Sequence, residues 1–87
     1  MRQTNRDIGK QLRTIRKTRQ LRQKDMLFQI GMTQQQYQGA ESGKDIRLST
    51  LLRILEGLNV NMVLVPNEKM GQVNALFQAE EEPEHKI

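Results

Sequence analysis

The sequence predicts a mostly α-helical fold that ends in a single β-strand. Three observations carry this reading. Apolar residues recur at three- and four-residue intervals through the first sixty positions, Gly31 and Gly43 interrupt them, and a β-branched run from Val60 to Val65 breaks the helical period before Pro66. The chain accordingly divides into a helical body over residues 1–59, a strand over 60–66 and an acidic tail over 67–87.

Asn5 is suited to cap a first helix, whose buried face would be Ile8, Leu12 and Ile15. A second helix runs from about Gln23 to Ile30, burying Met26, Leu27 and Ile30, and stops at Gly31, which tolerates the left-handed conformation of a sharp turn. Thr33 then caps a third helix, with Tyr37 and Ala40 inward and Gln34, Gln35 and Gln38 outward. Gly43 closes it, and Lys44 to Arg47 form a polar loop. The fourth helix, about Leu48 to Gly57, is the most apolar segment, and Leu48, Leu51, Leu52, Leu55 and Leu58 are expected in the core.

Val60, Met62 and Leu64 of the strand point one way, Val63 and Val65 the other, so both faces are apolar. A strand needs a partner, and the sequence holds no second strand signal. The natural partner is the same strand of a second copy, paired antiparallel across a twofold axis. The alternative is an extended segment packed on its own helices. After it, Asn67 could cap a short helix bearing Met70, Val73, Leu76 and Phe77 on one side, but Gly71 and the acidic run from Glu80 to Glu84 favour a flexible tail that orders on a partner.

Composition excludes several classes of function. There is no cysteine, which removes disulfides, thiolate nucleophiles and sulfur-ligated metals, and the lone His85 cannot build a zinc site or a catalytic dyad. No cofactor, metal or enzyme activity is therefore expected. The N-terminus is polar and no apolar run approaches a membrane span, which points to the cytoplasm. Residues 1–65 carry twelve Lys or Arg against five acids, a net of +7, while 66–87 carry a net of −3. A basic body attracts polyanions and makes their binding salt-dependent.

Arg22 to Glu41 thus reads as helix, tight turn and helix, the arrangement called helix-turn-helix. Its second helix opens with glutamines, whose amides offer a donor and an acceptor side by side and can pair with adenine N6 and N7 in a major groove. The wider segment from Ile8 to Val60 resembles the five-helix Xre and lambda-repressor type of DNA-binding domain. The matches are Leu12 with Arg16, Gln23 and Met26, Gly31, Thr33-Gln34-Gln35, Glu41 with Gly43, and the register of Leu48, Leu51, Leu55 and Leu58. Arg22 departs from the pattern where a Thr or Ser cap is usual, as do Leu27 where a small residue is usual and Gly39 where a longer side chain often reaches DNA.

The resemblance implies base reading by Gln34 and Gln35, with Gln38 a weaker candidate. It also implies phosphate contacts from Gln23, Thr33, Gln36, Lys44 and Arg47, which fix register without reading sequence. Arg16 and Glu41 would form a structural ion pair between the first helix and the end of the third.

A domain of this kind followed directly by an apolar strand is similar to the HipB-type antitoxins. That resemblance implies a homodimer through Val60, Met62, Val63, Leu64 and Val65, bound to a near-palindromic operator and repressing its own operon. It further implies a HipA-type serine/threonine kinase toxin as partner; the apolar side of the tail, Met70, Val73, Leu76 and Phe77, is by its own pattern suited to docking on a partner. Two other readings remain: a phage-type Cro or repressor with no toxin, and a kinase-binding module that no longer binds DNA.

Overall fold

The computed structural model describes residues 3–81. Among them four α-helices form the body: α1 (Asn5–Thr18), α2 (Gln23–Ile30), α3 (Gln34–Ser42) and α4 (Leu48–Gly57). A 3₁₀ turn (Asn67–Lys69) leads into α5 (Met70–Glu81). The mostly helical fold and the helix-turn-helix within it match the expectation from sequence. No strand is present among the described residues; Val60 to Pro66 makes no ladder with the rest of its own chain. The predicted strand and its pairing across a dimer are thus absent from the single chain, because a strand is defined by hydrogen bonds to a neighbour.

α1 is capped by Thr4, not Asn5. The Thr4 hydroxyl accepts the Asp7 N–H at 3.2 Å while the Asp7 carboxylate accepts the Thr4 N–H at 3.0 Å, a reciprocal box that satisfies two otherwise free donors. α2 solves the same problem differently. Arg22 has no acceptor to offer, so Asp25 does the capping, taking the Arg22 N–H at 2.8 Å and its guanidinium at 3.1 and 3.3 Å. At the other end of α2, Gly31 adopts φ +62° and Arg53 of α4 donates to the Ile30 carbonyl at 2.6 Å. Arg53 therefore caps α2 from across the fold.

The core consists of Leu12, Met26, Met32, Tyr37, Ala40, Ile54, Leu55 and Leu58, with Ile8, Ile15, Leu21, Leu27, Ile30, Ile46, Leu51 and Val60 packed around it. Two expected members are not there: Leu48 is 61 % exposed and Leu52 48 %. At 100° per residue the inward arc of α4 runs through Ile54, Leu58, Leu51 and Leu55, and Leu48 and Leu52 fall on the shoulder beyond Leu55. Five leucines are more than one face holds. Ile54 and Met32 take buried places that the leucine pattern did not predict.

Two glycines set the helix separations. A Cβ on Gly9 would lie 2.5 Å from the Glu41 carbonyl oxygen and 2.8 Å from that of Ala40, so α1 rests directly on the backbone of α3. A Cβ on Gly57 would collide with the Ile30 side chain, which holds α4 against α2.

Where the sequence left Asn67 onward between a short helix and a flexible tail, the described part is helical. Asn67 opens the 3₁₀ turn rather than capping a helix, and Gly71 sits in the first turn of α5. The segment that follows it, from Gln72, holds helix formers such as Ala75, Leu76 and Gln78. Glu82 to Glu84 and His85 lie outside the described residues. No helix among the described residues is long and apolar enough to cross a membrane.

Candidate nucleic-acid interface

α3 presents two faces with different tasks. Tyr37 and Ala40 point into the core, whereas Gln34, Gln35 and Gln38 are exposed. Its first turn is closed by a complete capping box: the Thr33 hydroxyl accepts the Gln36 N–H and the Gln36 side-chain oxygen accepts the Thr33 N–H, both at 3.1 Å. Gln36 is thereby committed, at its oxygen, to holding the helix start. Gly43, at φ +94°, ends the helix in a conformation that disfavours any side chain, and Arg6 of α1 packs closely against it, 3.0 Å from where a Cβ would lie.

Beneath this surface lies a polar cluster. Arg16 Nε donates to Glu41 Oε2 at 2.6 Å and Arg16 Nη2 to Glu41 Oε1 at 3.3 Å, with side-chain exposures of 9 % and 5 %. A third donation, from Arg16 Nη1 to the Leu21 carbonyl at 2.7 Å, fixes the guanidinium to the turn between α1 and α2. The Gln23 amide donates to Glu41 Oε1 at 3.1 Å. One carboxylate on α3 thus collects donors from α1 and α2. Burial by itself would push the Glu41 carboxyl up, but the hydrogen bonds from Arg16 and Gln23 and the nearby Tyr37 hydroxyl hold it below its ordinary value. The same contact raises Arg16 above its own.

Tyr37 is fully buried beside this pair, and burial raises its phenol well above the ordinary range. Its hydroxyl lies near Glu41, yet among the described residues no group meets it with the distance and angle of a hydrogen bond.

Gln23, expected to hold a phosphate, has its amide turned inward to Glu41, while its backbone N–H remains at the start of α2. Lys44 and Arg47 are exposed in the loop after α3, and Arg47 stands at the N-cap position of α4 without capping it through its side chain. Met62, Val63 and Leu64 are exposed, Leu64 by 87 %, while Val60 and Val65 are half-buried. Met70, Leu76 and Phe77 are exposed along α5, and Val73 is half-buried.

Sequence reasoning missed Gly9, Gly57 and Arg53, which position the helices, and Asp25, the cap of α2. Asp25 had a signal, an acid three residues after the last non-helical position; the glycines had none, since what they touch is distant in sequence.

No curated protein is a significant match to this chain. Among solved structures, a HipB-O4 20mer complex superposes with a TM-score of 0.70 at 19 % identity, covering 77 % of this chain and 96 % of that one. A HipA-HipB-O2-O3 complex gives the same score, identity and coverage. The likeness is one of fold. The helix-turn-helix family model matches residues 12–65, from the middle of α1 through α4 and the extended segment, and the chain belongs to that family.

Proposed function

We propose that the protein is a sequence-specific DNA-binding repressor that works as a homodimer, the antitoxin of a HipA-type kinase toxin and the autorepressor of its own operon. The observation that carries the reading is the outward face of α3, where Gln34, Gln35 and Gln38 stand exposed on a helix fixed at both ends and anchored from below by Arg16 and Gln23. Side chains carried on a rigid helix meet base edges without the cost of ordering the backbone that holds them, so only their own rotamer freedom is lost. The basic body supplies the attraction to phosphate. Thr33, Lys44 and Arg47, with the start of α2 at Gln23, are the backbone contacts.

The dimer would form through Val60, Met62, Val63, Leu64 and Val65, paired with the same segment of a second copy. In the single chain this segment has exposed apolar side chains at Met62, Val63 and Leu64 and makes no ladder with the other described residues. Leu52 and Leu55 share a groove with Val60 and Met62, so the exposed shoulder of α4 continues the same surface. A twofold would set the two copies of α3 about 34 to 36 Å apart, one turn of DNA. Met70, Val73, Leu76 and Phe77 of α5, beyond the family match, are the face offered to the kinase. Work of this kind belongs in the cytoplasm, on the nucleoid when DNA is bound. The HipB structures, with an O4 20mer in one and HipA in another, support this assignment.

Gel shifts of the full chain against the DNA upstream of its own gene, at several salt concentrations, test it. A specific complex that weakens steeply with salt is expected. Binding no tighter than to unrelated duplex would favour a protein-interaction module, for which the exposed Leu76 and Phe77 would be the contact.

A further inference from the structure

α1, α3 and α4 end alike. Just beyond each helix a residue takes a left-handed φ (Gln20, Gly43, Asn59), and the next N–H reaches back to a carbonyl five residues earlier. The bonds are Leu21 to Arg16 at 3.1 Å, Lys44 to Gly39 at 2.9 Å and Val60 to Leu55 at 3.0 Å. This closure is usually accompanied by a side-chain contact between the two residues it joins. At α4 those residues are both apolar and line one groove. At α3 they are Lys44 and a glycine.

Gly39 has no side chain to offer, and the lysine stem fills the place. A Cβ on Gly39 would lie 3.2 Å from Lys44 Cδ and 3.8 Å from its Cβ and Cγ, and these are its three nearest atoms. Gly39 is buried as a result, whereas Lys44 is exposed. A helical Cβ leans toward the N-terminus, and position 39 follows Gln35 by one turn. The stem of Lys44 therefore lies on the outward side of α3, directly after Gln35, and its ammonium continues two bonds past Cδ.

We infer that Lys44 acts as the missing side chain of α3: laid across Gly39, it carries its ammonium to the O6 and N7 acceptors of a guanine beside the base met by Gln35. This rests on the DNA-binding reading above and moves Lys44 from the backbone contacts named there to the bases. An ammonium matches the two acceptors that guanine presents in the major groove, and a stem already packed on the helix loses little freedom on contact. A phosphate contact needs neither the glycine nor the packed stem.

The test is selection of binding sites from a random-sequence duplex pool by the full-length wild type, Lys44→Met, Lys44→Arg and Gly39→Gln. Lys44→Met keeps the stem and so the closure of α3, which an unchanged melting temperature checks. Wild type should enrich a near-palindrome with a guanine in each half-site, and Lys44→Met should select the same site with preference for that guanine reduced on the order of tenfold. Lys44→Arg should retain the guanine. Gly39→Gln, which keeps the lysine but displaces its stem, should lose it. An unchanged guanine preference in Lys44→Met overturns the inference, and so does a loss that is uniform across sequences and lowers the salt slope by about one, the mark of a phosphate contact. A wild type that enriches no sequence overturns the DNA-binding reading itself.

Discussion

Arg16 and Glu41, twenty-five residues apart, face each other as a fork and a carboxylate, and their two hydrogen bonds tie α1 to the last turn of α3. The pair is almost closed to solvent, so each member depends on the other for its solvation. Removing one leaves a stranded charge. Glu41→Ala should therefore lower stability by about 3 to 5 kcal/mol and weaken DNA binding with it. Urea denaturation read beside gel shifts checks this, and unchanged stability would rule the pair out as a framing contact.

The same pair predicts an acid response. The folded-state value of Glu41 is depressed below 4.5, so its contribution is fully present above that value and is lost as pH falls through the lower, folded value. Wild type should lose stability below pH 4.5 more steeply than Glu41→Gln does. Denaturation midpoints measured over that range decide it.

Gly9→Ala should destabilise by more than the usual 1 to 3 kcal/mol of an overpacked core, because the new methyl meets carbonyl oxygens of Ala40 and Glu41 rather than movable side chains. Thermal unfolding measures the loss. A variant as stable as wild type would show that α1 can slide on α3 without cost.

Gln34 is exposed on the outward face of α3. Gln34→Ala should thus leave stability unchanged, flatten base preference at one position by about 1 to 3 kcal/mol and spare nonspecific binding. Competition binding with operator variants is the measurement; undiminished selectivity would contradict base reading there.

Polar replacements of Met62 and Leu64, such as Ser at both, should move the protein toward monomer. Full burial of each side chain is worth about 1.5 to 3 kcal/mol, so the dimer constant should weaken at least tenfold. Sedimentation at graded concentrations reports it. An unaltered dimer would place the twofold contact elsewhere.

Much of the body was legible in the sequence because its signals are local. Gly31, Thr33 and the spacing of Met26, Tyr37 and Ala40 mark the helix-turn-helix without any knowledge of what surrounds it. Helix ends that lack such residues were harder. Gln20 takes a left-handed φ without being glycine, and nothing in its neighbourhood announces it; Asn59 does the same, with only asparagine's tolerance of that conformation as a signal. The pairing of Arg16 with Glu41 came from likeness to a family, whereas the inward turn of Gln23 depends on a carboxylate eighteen residues away. Leu48 and Leu52 were misplaced because composition cannot say where an apolar arc ends. Phe28, 94 % exposed on α2, carried no signal at all.

The division of α3 into an inner and an outer face has a consequence for how such a protein can change. Tyr37, Ala40, Glu41 and Gly43 are bound to the fold, and each is constrained by neighbours from other helices. Gln34, Gln35 and Gln38 are exposed. Under the proposed DNA-binding reading, target choice and foldability draw on separate letters of the same short helix, so retargeting means rewriting the exposed positions, with Lys44 beside them, and leaves the scaffold that carries them untouched.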